Sequence, residues 1–297
     1  MSTDLTRAST SVMLNIISID VEDYFHPAEV SRDSGPSHWR DYRSRVDVGL
    51  NLIMNMLAET QTLGTFFILG WVAEQHPSLI RRIAEAGHEI GCHSYEHRLV
   101  YRLTPQQFKS DTVRAIRAIE DACGIRPRAY RAPSYSITTQ SLWALDVLIE
   151  CGFTHDSSIY PIRHDRYGIP GFSRHATAIK TAAGAIIEVP VATVRILDGV
   201  APIGGGGYLR ILPYRYTAAG IRRLNRDEGQ PACIYTHPWE LDTGQPRLAT
   251  GLVSRMRTYA GLDTVATKLK RMLRDFRFAP LAQVHPLRST TCKSEAV

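Results

Sequence analysis

Three carboxylates crowd the end of the first apolar run of the chain. The run from Leu14 to Ile19 is followed directly by Asp20, Glu22 and Asp23. Carboxylates this close repel one another and lose solvation at a covered strand end, so the cluster needs a compensating cation. A bound metal ion would supply it, although an isolated string of this kind is more often an exposed acidic turn.

Two histidines follow a later predicted strand, His88 to Cys92. His93 and His97 are four residues apart, a spacing that places both imidazoles on one face of a helical turn and lets them chelate one ion. With one carboxylate they would form the ligand set of a catalytic zinc site that leaves a position open for water. Cys92 would be a soft ligand, but strand alternation turns it away from His93, so we assign it to the core.

An arginine and a third histidine end two further predicted strands. Arg131 can pair with a catalytic carboxylate and lower its pKa, and Pro133 stiffens a turn where a backbone N–H near Tyr135 would face a developing oxyanion. His237, followed by Trp239, is a candidate general acid for a leaving amine. For Arg131 taken alone, a surface salt bridge and an ordinary turn are the favoured explanation, and His237 would also serve as a third metal ligand or a structural residue.

The elements that carry these residues alternate between strand and helix, which is typical of parallel α/β folds. In such barrels the C-terminal ends of the strands open into one shared mouth. The rhythm breaks between residues 160 and 190, and the glycines at 204–207 predict a flexible or tightly turning loop. A basic amphipathic helix over 265–276 is expected to pack on the domain. The predicted strands are 14–19, 63–69, 88–92, 128–132, 153–155, 185–197 and 232–235, and the other predicted helices are 48–57, 72–86, 105–122, 141–151 and 214–225.

Composition bounds the class of protein. The chain has 297 residues, 44% of them hydrophobic, and a net charge of +6 from 35 basic and 29 acidic residues, which is too mild an excess for a nucleic-acid-binding protein. Five cysteines without a CxxC pair predict free thiols in a reducing compartment. The first twelve residues lack the apolar core of a secretory signal, and no segment is apolar enough for a membrane span. We therefore expect a cytoplasmic protein with no transmembrane segment.

Taken in order, the motifs resemble the polysaccharide deacetylase family, carbohydrate esterase family 4 with its chitooligosaccharide deacetylase homology domain, over roughly residues 14–240. His93-Ser-Tyr-Glu-His97 meets the family motif H-[ST]-x-x-H, and Arg131-Ala-Pro133 meets R-x-P. The fourth motif would supply Asp156 near a hydrophobic wall, and the fifth supplies His237.

The first family motif departs from the pattern, because Asp20-Val-Glu22-Asp23 replaces two adjacent aspartates. By position Asp20 is the base, and either Glu22 or Asp23 is the metal ligand. Strand alternation puts Asp20 and Glu22 on the same side, which favours Glu22. This form is similar to a subgroup found with bacterial exopolysaccharide and exosortase clusters, as are the strings at 156–168 and 237–240.

The resemblance implies a fold and a reaction. The fold is a deformed (β/α) barrel with seven parallel strands and an inserted hairpin, in one domain over 1–297 with a core at 14–240 and a helical extension at 246–297. The reaction is metal-dependent hydrolysis of N-acetyl groups from an amino-sugar polysaccharide or its precursor, in exopolysaccharide biosynthesis. Zinc is the expected metal, with cobalt, nickel and iron also acceptable to the ligands.

Partners follow from the same resemblance. The expected ligand is an N-acetylated glycan or a lipid-linked sugar precursor, with no nucleic acid; a homo-oligomer is compatible with the sequence. Two rival functions remain, a cyclic-amide hydrolase of the allantoinase-like branch of the fold and an inactive glycan-binding module. The residues expected to contact substrate are Tyr135, Asp156, His164, Arg166 and Trp239.

Overall fold

The computed structural model of the protein describes residues 13–27, 30, 36–197 and 199–287. Within these ranges it is a curled, mostly parallel sheet flanked by helices. The strands are β1 (Leu14–Val21), β2 (Thr65–Ile68), β3 (Glu89–Cys92), β4 (Ala129–Tyr130), β5 (His155–Asp156), β6 (Thr177–Thr181), β7 (Gly184–Glu188), β8 (Thr193–Ile196), β9 (Gly199–Pro202), β10 (Cys233–Thr236) and β11 (Arg277–Ala279). The helices are α1 (Val46–Glu59), α2 (Gly70–Gln75), α3 (Pro77–Glu85), α4 (Pro105–Cys123), α5 (Ala144–Glu150), α6 (Gly206–Ile211), α7 (Tyr214–Asp227), α8 (Leu252–Tyr259), α9 (Leu262–Asp275) and α10 (Leu281–Val284).

Seven parallel strands follow one another along the sheet in the order β10-β1-β2-β3-β4-β5-β7, and an eighth strand, β11, pairs parallel with β1 beside this path. The antiparallel strand β6 extends the β7 edge, and β8 and β9 form a separate hairpin. After β7, the backbone amide of Ala192 donates to the backbone carbonyl of Cys233 in β10 at 2.9 Å. This hydrogen bond connects the two ends of the row of parallel strands. The predicted deformed barrel of parallel strands with an inserted hairpin is confirmed; the seven predicted parallel strands are joined by β11 as an additional one.

Local sequence explains the regular elements. Strand β2 is buried along its whole length, as expected for a strand covered on both faces. Helix α4 begins with a capping box between Thr104 and Gln107, has Pro105 in its first turn and ends at Gly124 with φ 73°. Each of these is a standard helix boundary signal, which is why this helix is predicted almost to the residue.

Three sequence expectations are wrong in detail. The helix predicted at 72–86 is two helices that meet at His76, because Pro77 lacks an N–H and begins a new helix instead of continuing one. The glycines at 204–207 include the first turn of α6. The C-terminal region predicted as helical also contains β11, which pairs with β1.

Two glycines set the approach of elements around the sheet's C-terminal edge. A β-carbon on Gly49 of α1 would lie 1.7 Å from the carbonyl oxygen of Pro238, and one on Gly205 would lie 1.9 Å from the ring of Tyr235. Gly205 also has a φ of 101°, a conformation that glycine adopts without strain. Close packing against Ile234 and Tyr235, in the strand that leads to His237, therefore requires glycine at 204, 205 and 206.

Helix α9 and the described cysteines lie as follows in the structure. The predicted helix at 265–276 corresponds to α9, and its apolar residues are buried, so it packs on the domain as expected. Cys92, Cys123, Cys151 and Cys233 are free thiols, whereas Cys292 and the segment from Met1 to Val12 lie outside the described residues. No helix in the described ranges is long and apolar enough to cross a bilayer.

Candidate active site and metal centre

A carboxylate and two imidazoles converge at the C-terminal edge of the sheet. Glu22 Oε1 lies 2.9 Å from His93 Nε2 and 3.0 Å from His97 Nε2, and all three side chains are buried. Burial opposes ionisation of Glu22, but the charges and hydrogen bonds of the surrounding histidines hold its pKa well below the usual range. The structure therefore brings together an anionic oxygen and two imidazole nitrogens within 4.8 Å of one another.

The hydrogen bonds of His93 indicate whether Glu22, His93 and His97 fit a metal ion. His93 Nδ1 lies 2.8 Å from the carbonyl oxygen of Arg131, so Nδ1 carries the hydrogen and, in the neutral ring, Nε2 presents a lone pair towards Glu22. Two electron pairs that face each other in a buried site are stable only with a proton or a metal ion between them. Two imidazole nitrogens and a carboxylate oxygen are a ligand set for zinc and related divalent ions, so the residues fit the predicted metal.

The loop between the two histidines is not the helical turn predicted from their spacing. Ser94 and His97 have φ values of 64° and 53°, and the Ser94 hydroxyl accepts the His97 amide at 3.1 Å. From α4, the carboxylate of Asp111 accepts the amides of Tyr95 at 2.8 Å and Glu96 at 3.1 Å. Burial raises the pKa of Asp111 to about 6. Side-chain contacts thus hold the loop in a shape that regular helix would not give.

Asp20 lies next to the cluster and is held by Arg131. Arg131 Nη1 donates to Asp20 Oδ1 at 2.8 Å and to the Ser18 hydroxyl at 2.8 Å. The guanidinium is fully buried, lies 4.2 Å from the centre of the Phe67 ring and donates to the Ser157 hydroxyl. The buried cation fixes the carboxylate in one orientation, as the sequence predicts for a base.

His237 faces Asp20 and Glu22 from the end of β10. Its Nε2 lies 3.8 Å from Asp20 Oδ2 and 4.0 Å from Glu22 Oε1. Its Nδ1 lies 3.1 Å from Glu240 Oε2, and Arg210 Nε lies 2.8 Å from Glu240 Oε1. Burial lowers the pKa of His237, but the nearby carboxylates, Glu240 first, outweigh burial and raise it to about 9. The ring is therefore a proton donor held in one orientation by a buried ion pair.

A second group of ligand atoms shares Glu22. The side-chain ligand atoms of Asp20, Glu22 and His237 also lie within 4.8 Å of one another. The His237 imidazole is consequently within coordination reach of the same centre. Both roles considered from the sequence, general acid and third ligand, agree with this geometry.

Asp23 points away from the histidines. Its carboxylate accepts the amides of Arg45 and Val46 at the start of α1, the amide of Tyr24 and the hydroxyl of Ser44. An anion at a helix N-terminus satisfies amides that have no partner within the helix. Of the two carboxylates considered as metal ligands, the structure places Glu22 in the cluster and Asp23 at the start of the helix.

A cleft of about 1230 Å³ opens above these groups. Of the residues expected to contact substrate, four line it, and Trp239 stacks on His237 at 5.1 Å between ring centres. His164 stacks on Tyr167 at 3.8 Å. Those four residues are Tyr135, His164, Arg166 and Trp239.

Asp156 and the amide of Tyr135 do not match their predicted surroundings. Asp156 is fully buried and does not line the cleft. It lies opposite Glu188 in the β5–β7 register, and its Oδ1 accepts a hydrogen bond from the Ser158 hydroxyl. The amide of Tyr135 donates to the carbonyl of Ala132 at 3.1 Å. This amide is therefore engaged within its own turn, and Asp156 belongs to the interior.

Sequence reasoning assigned no role to Glu240, Arg210 or Asp111. Glu240 stands three residues after His237, and this spacing of a histidine and a carboxylate at a helix start is a signal that could have identified it. Arg210 and Asp111 act across long sequence separations. Only the folded chain brings them to the site.

Two family models and a solved structure match this chain. Residues 41–154 match the Polysaccharide deacetylase family, and residues 157–286 match a Domain of unknown function (DUF3473). Both segments contribute strands to the same sheet. A solved Mycobacterium smegmatis protein assigned to the polysaccharide deacetylases superposes with a TM-score of 0.57 at 23% identity, over 88% of this chain and 95% of that one, which establishes similarity of fold.

Curated relatives point the same way. A chitooligosaccharide deacetylase of Bradyrhizobium sp. is 29% identical over 50% of this chain and 64% of its own length. A peptidoglycan-N-acetylglucosamine deacetylase of Bacillus cereus is 29% identical over 38% of this chain and 43% of its own length. The matched part of this chain thus spans less than two thirds of either relative. With the family match over 41–154, these relatives show that this segment of the chain is similar to the polysaccharide deacetylases.

Proposed function

We propose that the protein is a metal-dependent deacetylase that hydrolyses the N-acetyl amide of an amino-sugar polysaccharide or its precursor. One observation carries the proposal: the Glu22–His93–His97 group lies beside an aspartate held by a buried arginine and a histidine held by a buried glutamate. A base and an acid next to a Lewis-acid site are the parts that amide hydrolysis requires.

Each residue has a separate task in this reaction. Asp20 takes a proton from the attacking water, because Arg131 keeps its carboxylate aimed at the base of the cleft. As the carbon–nitrogen bond breaks, His237 gives its proton to the sugar nitrogen, and acetate and a free amine leave. Glu22, His93 and His97 would hold a divalent metal, which when bound polarises the amide carbonyl and lowers the pKa of water.

Substrate and setting extend the proposal. Trp239 and Tyr135 offer ring surface for a sugar, and His164 and Arg166 offer polar contacts in the same cleft. The named activities of the two relatives favour N-acetylglucosamine-containing glycans. Zinc as the metal and exopolysaccharide biosynthesis as the process are supported by the ligand set and by the motif strings at 156–168 and 237–240.

The test is acetate release from N-acetylglucosamine oligomers and lipid-linked precursors, with metal content measured on the same samples. We expect activity that a chelator abolishes and zinc restores. His93→Ala should lose metal and activity together, whereas His237→Ala should keep its metal and lose activity. His38→Ala is the control, since His38 is exposed and pairs with Asp41 on the surface. Activity that survives metal removal or the His93→Ala change would overturn the proposal.

A further inference from the structure

Helix α8 exposes a group of apolar side chains that no other part of the described chain covers. Leu252, Val253 and Met256 are 77%, 64% and 58% exposed. Their spacing places them on one face of the helix. The next helix behaves in the opposite way, because the apolar face of α9 is buried. The apolar residues of α8 are therefore exposed, whereas those of the following helix are buried.

The charged residues in the segment that contains α8 are all basic. From residue 243 to residue 262 the chain contains no acidic residue, whereas it contains Arg247, Arg255 and Arg257. Arg255 and Arg257 lie on α8 beside the apolar group and are exposed, and Arg257 also lies 3.5 Å from Asp165. An apolar face bordered by arginines is the pattern of a helix that lies in the interface of an anionic bilayer.

Contacts fix α8 to the rest of the protein. The buried guanidinium of Arg210 donates to the backbone carbonyls of Arg257 and Thr258 at the C-terminal end of α8. Arg257 and Thr258 also line the cleft, as does Ile211, which is 58% exposed. The helix is therefore part of the cleft's rim, and a surface that binds α8 lies beside the opening.

From these observations we propose that α8 docks the protein peripherally on an anionic lipid bilayer through Leu252, Val253 and Met256, with Arg255 and Arg257 contacting lipid phosphates. Three side chains on a two-turn helix present far less area than the roughly 800 Å² per partner of a stable protein interface. A bilayer needs only a shallow apolar face with basic neighbours. The proposal does not depend on the reaction that the cleft performs.

Vesicle co-sedimentation of the full chain tests the proposal. We expect binding to vesicles that contain phosphatidylglycerol, weaker binding at high salt, and little binding to pure phosphatidylcholine. The triple variant Leu252→Ser/Val253→Ser/Met256→Ser should bind at least roughly a hundredfold more weakly. Arg255→Glu should weaken binding to the anionic vesicles by roughly tenfold or more.

Leu63→Ser/Ile125→Ser is the matched control. These residues are 40% and 41% exposed and precede β2 and β4, at the end of the sheet opposite the cleft. This variant should bind vesicles like the unchanged protein. Absence of binding by the unchanged protein, or full binding by the triple variant, would refute the proposal. So would a change from oligomer to monomer in the triple variant, measured by light scattering, because the face would then join two copies of the chain.

Discussion

Glu240 offers a sharp test of the site, because it touches both His237 and Arg210. Its carboxylate accepts from the Thr236 hydroxyl at 3.0 Å and from the backbone amide of His237 at 3.0 Å, and it lies 2.8 Å from Arg210 Nε. Glu240 is fully buried and Arg210 is 4% exposed. Glu240→Gln keeps the size of the side chain and removes its charge, so it isolates the electrostatic role.

Glu240→Gln should lower the free energy of unfolding. Breaking a buried ion pair leaves an uncompensated charge and costs about 3–5 kcal/mol. Arg210 keeps its bonds to the carbonyls of Arg257 and Thr258, so we expect a loss of about 3 kcal/mol in the free energy of unfolding, at the lower end of that range. Urea unfolding measures it. In a double-mutant cycle, Arg210→Met combined with Glu240→Gln should lose less than the sum of the single changes.

The pH dependence of catalysis should change as well. A general acid must be protonated, so kcat/KM falls as pH rises through its pKa. Glu240 is the leading cause of the raised pKa of His237, and a bound metal would offset the charge of Glu22 but not that of Glu240. Glu240→Gln should therefore move the alkaline limb to lower pH and reduce kcat about a hundredfold, within the range attributed to a positioned acid.

Asp242→Asn is the control for this prediction. Asp242 is a neighbouring carboxylate that pairs with Arg45 at 2.5 Å and does not touch His237. It should leave the alkaline limb in place. If Glu240→Gln lowers activity while the alkaline limb stays where it was, Glu240 does not tune His237 and the reasoning fails.

Three further predictions follow from other contacts. Asp23→Ala should lower the free energy of unfolding by about 2 kcal/mol, because it removes the anion at the start of α1. Its metal content should stay unchanged, whereas Glu22→Gln should lose the metal. Loss of metal in Asp23→Ala would contradict the placement of Asp23. Asp111→Asn should weaken metal binding about tenfold, because the Asp111 carboxylate holds the loop that carries His93 and His97. Competition with a chelator measures the affinity, and an unchanged affinity would refute this prediction. Burial raises the pKa of Asp156 to about 6, and burial together with the charge of Asp156 raises the pKa of Glu188. The folded state therefore holds protons that the unfolded state has already lost, so the free energy of unfolding should fall as pH rises from about 4 through 6. Glu188→Gln should weaken this trend in urea unfolding, and identical pH trends in both proteins would exclude the pair as its source.

The fold could be predicted to a large extent because its signals are local. Buried parallel strands are short apolar runs, and helices such as α4 carry their own caps. Glu22 could be preferred to Asp23 from the side-chain period of a strand alone. The structure places Glu22 beside His93 and His97, so the local periodicity and the three-dimensional arrangement agree at this position.

What could not be predicted depends on contacts between distant segments. The glycines at 204–207 resemble a loop in sequence, and only the packing of Tyr235 shows why side chains are excluded at Gly205 and Gly206. The shape of the His93–His97 loop depends on Asp111 from a separate helix. Asp156 was expected at the cleft from the fourth motif of the family, but its carboxylate faces Glu188 inside the protein. A strand end predicts the edge of the sheet, not the direction of the side chain.

Arg131 links the chemistry of the site to the integrity of the barrel. The strands β7 and β10 are not paired along their length in the described residues, so the interior needs other connections across it. Arg131, after β4, donates to Ser18 and Asp20 at β1 and to Ser157 after β5. Since the buried cation is compensated mainly by the base itself, neither member of the pair can be lost without leaving a buried charge. The orientation of the base is therefore fixed by the same contacts that hold the strands together.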